Sequence, residues 1–306
     1  MYNTKARFAL SLVIAFIFLP TTIFAQQLAD LDFKTVVENP AFTKNYPRVM
    51  FDEAHNNFHI TTGRYKPFVD LITSDGYTVT GSLRTFTKAS LETYKILIIV
   101  NALGAEEMDE EGADRPAFTE EECDAVRDWV KRGGSLLLVA DHAPFGAAAE
   151  SLAKRFGVEM SKGFAFDPEH SLEGSPSILT YSRENKLLLD HPITRGRDES
   201  EKINRVVAFT GQALKTAEPN SVFLKLGEGA KDKPDRTAET SVPVGGQAQG
   251  LALKFGKGRV VVLGEAAMLS AQVAGPGRVP MGMNVPGNDN RQLALNIMHW
   301  LSGILK

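Results

Sequence analysis

From Pro47 onward the chain alternates apolar runs with amphipathic stretches. Arg48–Asp52 (RVMFD), Tyr77–Leu83 (YTVTGSL), Ile96–Val100, Ser135–Asp141 (SLLLVAD) and Gly258–Glu265 (GRVVVLGE) read as strands. Several of these are apolar at consecutive positions, which predicts strands covered on both faces rather than sheets with one wet side. Helical patterns lie between them. Residues 63–76 place Phe68, Leu71 and Ile72 on one face and end at Gly76. Residues 118–134 have the capping-box spacing at Thr119 and Glu122, with Lys131 and Arg132 near the end before Gly133 and Gly134. Residues 147–157 form a third helix. Residues 289–305 form the last, with a stripe of Leu293, Ile297, Trp300, Leu301 and Ile304. Segments 205–209, 221–226 and 250–255 read as further strands. Loops are expected within 158–205 and over the Gly/Pro-rich stretch 274–288, and a polar hairpin tip or insertion over 228–240.

Apolar strands separated by helices predict an α/β fold with a mostly parallel sheet and helices on both faces. Right-handed crossovers make it doubly wound. One domain is expected over 47–306, with insertions around 158–205, 228–250 and 270–288, after a polar lead-in over 26–46.

The N-terminus changes the picture of location. Lys5 and Arg7 precede an apolar run from Phe8 to Leu19, Pro20 breaks it, and Ala25 offers a small residue before Gln26. This is the layout of a secretory signal peptide over 1–25 and predicts a periplasmic or secreted product. The run is short for a membrane span, which needs about 20 residues; an uncleaved anchor is the alternative. Removing the segment takes away two positive charges and no acidic ones, moving the formal charge from -3 to -5. A mildly acidic chain has no electrostatic footprint for nucleic acid. Cys123 is the single cysteine, so no intramolecular disulfide forms. It shares a helix face with Val126 and Val130 and is expected in the core.

The apolar strands end on polar residues. The first runs into Asp52, Glu53, His55, Asn56 and His59, the third into Asn101, the fourth into Asp141 and His142, and the late strand into Glu265. In a parallel sheet these ends share one edge, where ligands of open α/β sheets bind. Asp or Asn at such positions can simply cap the next helix. His55, His59, His142 and Glu265 are not favoured capping types, so a pocket is expected. Three chemistries stay open. His55 and His59 have i, i+4 spacing and on a helical turn would face a divalent metal, with Asp141, His142 and Glu265 completing its shell. Without a metal, His142 would be a general base held by Asp141 or Asp52, with Glu265 as acid partner. Without catalysis, Asp52, Glu53, Asn56, Arg64 and Asn101 would line a site for a small polar, carbohydrate-like or cell-envelope ligand, Arg64 reaching a carboxylate. His299 is expected at the helix surface or core edge, and His191 in a turn. No G-x-S-x-G elbow, P-loop, G-x-G-x-x-G or cysteine cluster occurs.

The ordered set "FDEAHNNFH…GRY", "YKILIIVNAL", "FTEEECDAVRDWVKRGGSLLLVADH", "GRVVVLGEAAM" and "DNRQLALNIMHWLSG" resembles the class I glutamine amidotransferase-like superfamily. Within it, the chain is most similar to a branch of domains of unknown function and to domains of gliding-motility and intraflagellar-transport proteins. The resemblance covers about residues 47–306 and implies a flavodoxin-like α/β sandwich. True amidotransferases carry a Cys nucleophile on a turn after a central strand. Here the comparable strand runs into Asp141 and His142, so the resemblance does not extend to thiol-dependent glutaminase chemistry.

Overall fold

The computed structural model describes residues 27–172 and 174–306. The expected signal segment over 1–25 lies outside the described residues. The central sheet has nine strands: β1 (Arg48–Asp52), β2 (Thr78–Ser82), β3 (Ile96–Val100), β4 (Ser135–Val139), β5 (Val158–Met160), β6 (Leu214–Thr216), β7 (Val222–Lys225), β8 (Ala248–Phe255) and β9 (Gly258–Leu263). Five of them run parallel in the order β2-β1-β3-β4-β9. The register pairs Val100 with Val139 and Val139 with Leu263, so the carboxyl ends of three central strands are flush.

The remaining strands pair antiparallel, so the sheet is mixed on that side. β8 is antiparallel to β9, β6 to β8, and β5 to β6. The cause is local: Gly256 and Lys257 are the only residues between β8 and β9, with Gly256 at φ +58°. So short a loop can only make a hairpin. Segment 205–209 is a strand, but it pairs with Ser175–Ser182 in a separate small sheet. The regions expected as loops hold two more three-stranded sheets, one joining Phe164–Phe166 to Lys231–Lys233 and Val242–Pro243, the other joining Gln27–Ala29 to Ala271–Ala274 and Val279–Gly282.

Four helices cover the sheet: α1 (Lys66–Ser74), α2 (Glu120–Lys131), α3 (Phe145–Lys154) and α4 (Asn290–Ser302). The strand side chains sort with period two. Val49, Phe51, Ile96, Ile98, Leu137 and Val261 pack with Phe68, Leu71 and Ile72 of α1 and Leu293, Ile297 and Trp300 of α4. Met50, Leu97, Ile99, Leu136, Leu138 and Val260 pack with Cys123, Val126 and Val130 of α2 and Leu152 of α3. The central strands β3 and β4 are thus buried on both faces, which is why they are apolar throughout, whereas the edge strand β2 (TVTGS) is mostly exposed. The capping box of α2 forms as its spacing predicts: Thr119 Oγ1 accepts from Glu122 N at 3.2 Å, and Glu122 Oε2 accepts from Thr119 N at 3.1 Å. Among the described residues no helix is long and apolar enough to cross a membrane.

Candidate functional site

The carboxyl edge of the parallel strands gathers Asp52, Asn101, Asp141 and Glu265. Asn101 follows β3 at φ +51°, a left-handed conformation that Asn tolerates better than most residues. That turn aims its Oδ1 at the Asp141 N–H, 3.0 Å away. Gln212, fully buried, holds the same corner: its Nε2 donates to the carbonyls of Ala140 and Asp141 at 2.9 and 2.8 Å. Asp141 Oδ1 accepts from His142 N at 2.8 Å. Glu265 is fully buried and accepts from Ala267 N at 2.6 Å and Met268 N at 2.8 Å. It therefore does cap, contrary to expectation, because the chain turns back within three residues and presents its free N–H groups to the carboxylate. Burial and the charge of Asp141 push the Glu265 carboxyl well above the usual carboxylate range.

His55 and His59 do not share a helical face. The segment between them is irregular: Asp52 Oδ1 takes the N–H of Ala54, Asn57 Oδ1 takes that of His55, and Asn56 sits at φ +48°. Such side-chain bonds compete with helix formation. His55 turns into the protein. Its Nδ1 lies 2.8 Å from Asp52 Oδ1 and its Nε2 2.9 Å from Glu122 Oε1, between the rings of Phe86 and Phe118. Burial alone would lower this imidazole, but the two carboxylates outweigh it and raise it above its ordinary value. His59 points elsewhere. It stacks on Tyr65 with centroids 4.9 Å apart, and burial followed by the charge of Arg64 lowers it to about 3. Among the described residues, no group of three or more His, Cys, Asp or Glu side chains is placed to hold a metal ion.

A cavity of about 980 Å³ opens at this edge. It is lined by His59, Arg64, Asn101, Asp141 and His142, five of the residues singled out in the sequence. Four phenylalanines, Phe58, Phe145, Phe164 and Phe209, are also among its lining residues. His142 stacks on Phe164 with centroids 4.4 Å apart, and its Nδ1 lies 2.7 Å from the carbonyl of Ala143. A carbonyl only accepts, so Nδ1 carries the proton and Nε2 keeps its lone pair, 3.4 Å from Arg236 Nη2. Two lining side chains hold buried polar atoms without a partner: Nδ1 of His59 and Oε1 of Gln272.

The other expected residues lie outside this wall. Asp52 is enclosed with His55 and Asn57. Glu53 staples its own loop, accepting from Thr61 N and Oγ1. Asn56 is exposed. Glu265 is buried beside Asp141 without reaching the cavity. His299 is buried in the core, with Nε2 2.8 Å from Asp75 Oδ2. His191 sits at a helix start, where its Nδ1 accepts from Ile193 N at 3.1 Å. Cys123 is fully buried, 3.6 Å from Ser151 Oγ, and burial raises its thiol. Residues not singled out in the sequence are Arg236, Phe164, Gln212 and Gln272. No local pattern marks them, because each reaches the site through a strand pairing distant in the chain.

No protein-family model matches the chain, and no curated protein matches it. Among solved structures it is similar to the "mmIFT52 N-terminal domain", with TM-score 0.58 and 15% identity over 84% of this chain and 97% of that one. It also aligns with a cytoplasmic protein of Salmonella typhimurium LT2, at TM-score 0.46 and 13% identity over 83% of this chain and 98% of that one. A protein described as ThuA-like from Bacteroides uniformis aligns at TM-score 0.43 and 13% identity, over 87% of this chain and 93% of that one. The likeness to the first is one of fold.

Proposed function

We propose that this chain is an exported ligand-binding domain of the class I glutamine amidotransferase-like superfamily, and that the rim cavity takes a small polar or carbohydrate-like molecule. Its parallel strands follow the order β2-β1-β3-β4-β9. This order supports a flavodoxin-like, doubly wound reading, in which ligands bind outside the carboxyl ends. The observation that carries the reading is the cavity itself, about 980 Å³ at the carboxyl edge of the parallel strands, where the polar side chains of Arg64, Asn101, Asp141 and His142 converge beside phenylalanines. The phenylalanine wall supplies apolar contact, the usual make-up of a small-molecule site. Cys123, enclosed by α2 and α3, offers no thiolate there.

A second reading, an acid–base hydrolase, is favoured by one relationship. Burial and the neighbouring charge of Asp141 raise the Glu265 carboxyl, and a carboxyl raised beside a second one is the kind of environment from which acid roles are built. His142 Nε2 would be the base at the cavity wall. Elemental analysis for bound metal, a thermal-shift panel of sugars, peptides and nucleosides, and a turnover panel of esters, amides, phosphates and glycosides separate the two. A saturable melting shift without turnover supports the binder. Turnover lost in both Asp141→Asn and His142→Ala supports the enzyme. Neither shift nor turnover across the panels removes both. Export predicts a secreted product whose N-terminal sequence starts at Gln26; a retained residue 1 would contradict it.

A further inference from the structure

We infer that the rim cavity takes a zwitterion, its ammonium seated on Asp141 and its carboxylate on Arg236. This rests on the cavity being a binding site and adds the charges of what it binds. Both residues line the cavity, and Asp141 is its only acidic lining residue. Asp141 is 9% exposed. Its Oδ1 accepts from the His142 N–H at 2.8 Å. Among the described residues its Oδ2 has no hydrogen-bond partner, its carboxylate forms no ion pair, and Oδ2 is not sealed from solvent. The backbone on either side is pinned. Asn101 Oδ1 accepts the Asp141 N–H, and Gln212 Nε2 donates to the Asp141 carbonyl. The carboxylate is therefore held toward the cavity instead of folding back onto its own loop. An enclosed carboxylate without a cation is costly, and a ligand ammonium offsets that cost.

Arg236 supplies the opposite charge on the same wall. Its guanidinium lies 5.3 Å from the centre of Phe164, the ring on which His142 stacks, and its Nη2 is 3.4 Å from His142 Nε2. His142 follows Asp141 directly, so the arginine stands one residue away from the carboxylate and yet does not pair with it. Two opposite charges kept apart on one wall are bridged by a ligand that carries both. A guanidinium fork presents paired donors to a carboxylate. Arg64, the other lining arginine, is already engaged: its Nε donates to the Gln27 carbonyl at 3.0 Å, and its guanidinium lies 4.4 Å from the centre of Phe58. A ligand of one sign fits less well. A plain cation would share the wall with two arginines. A plain anion would meet the loop that Met108 brings to the cavity, where Glu106, Glu107, Asp109 and Glu110 are exposed.

The test is isothermal titration of the purified protein with alanine, dialanine and trialanine, which carry the two charges at three spacings. The tightest of them is then compared with two forms of nearly the same size that lack one charge: the des-amino form, in which hydrogen replaces the ammonium, and the C-terminal amide. The zwitterion is expected to bind at least about tenfold more tightly than either, because each has lost a charge-assisted contact. Asp141→Asn should erase the preference over the des-amino form, and Arg236→Gln the preference over the amide. Arg236 is exposed on its loop, so its variant keeps the parent's melting transition and reports on binding even if Asp141→Asn fails to fold. A des-amino form that binds as tightly as the zwitterion overturns the inference in favour of a plain anion, and an amide that does so overturns it in favour of a plain cation. A preference over the amide that vanishes in Arg64→Gln but persists in Arg236→Gln also overturns it. So does failure of all three zwitterions while another compound shifts the melting point through the cavity, which leaves the cavity as a site. If no compound binds there, the inference and the reading beneath it fall together.

Discussion

His55 reaches Glu122 across the sheet edge, with Nε2 2.9 Å from Oε1, and so ties the loop after β1 to the first turn of α2. The other ring nitrogen holds Asp52, which is fully buried. Three titratable groups that resemble a catalytic relay are instead closed on one another by Phe86 and Phe118.

Replacing His55 by Leu strands two carboxylates without their shared partner. Removing one member of a buried charged set costs about 3–5 kcal/mol. Denaturant unfolding of His55→Leu should show a loss of that size, and His55→Gln a smaller one. A loss below about 1 kcal/mol would mean that the pair is wet and weak. The pH dependence has a definite sign. His55 is raised in the folded state, so its contribution is full below about pH 6.5 and is lost as pH rises through the folded value.

His59 acts in the opposite direction. It stays neutral in the fold down to about pH 3, while the unfolded chain takes up a proton below about pH 6.5. Stability therefore falls as pH drops through this window, by on the order of 3 kcal/mol at pH 4 for this group alone. His59→Phe should remove much of that acid-side fall. Parallel stability–pH curves for parent and variant between pH 4 and 7 would exclude a buried neutral His59.

Glu265 keeps its proton in the fold above the pH at which the unfolded chain loses it. The folded state then binds more protons, so stability falls as pH rises from about 4.5. Glu265→Gln should flatten that decline, and Asp141→Asn should flatten it in part because the Asp141 charge contributes to the shift. Coupling in the double variant would show up as less than additive flattening. Unchanged slopes in both single variants would place the two carboxyls too far apart to interact.

The rim was legible in the sequence because strands buried on both faces are apolar throughout, so the first polar residue after each one marks the sheet edge. That logic placed Asn101, Asp141 and His142 at the edge, and all three line the cavity that opens there. It could not say which edge residues point outward. Asp52 and Glu265 lie at the same edge but turn their carboxylates to neighbouring N–H groups and to His55. The i, i+4 spacing of His55 and His59 presumed a helix that Asp52 and Asn57 prevent by taking its backbone N–H groups. Glu122 was read as a capping residue, which its Oε2 is, but only the fold brings His55 to its Oε1. Arg236 stayed hidden in a polar stretch. Its place depends on Lys231–Lys233 pairing with Phe164–Phe166, a contact between segments far apart in the chain.

The central claim is that the cavity at the strand ends is where a ligand sits. Met281 lies on the hairpin at its wall and is half-buried, so Met281→Trp narrows the cavity from that side without disturbing the central sheet. A ligand at a hundredfold excess over its Kd stabilises the folded state by about 2.7 kcal/mol, a readily measured melting shift. The decisive measurement is that shift in the parent and in Met281→Trp, using the strongest compound of the thermal-shift panel. The account predicts a saturable rise in the parent and a clearly smaller one in the variant, whose melting point without ligand stays near the parent's. An equal rise in both proteins would contradict it.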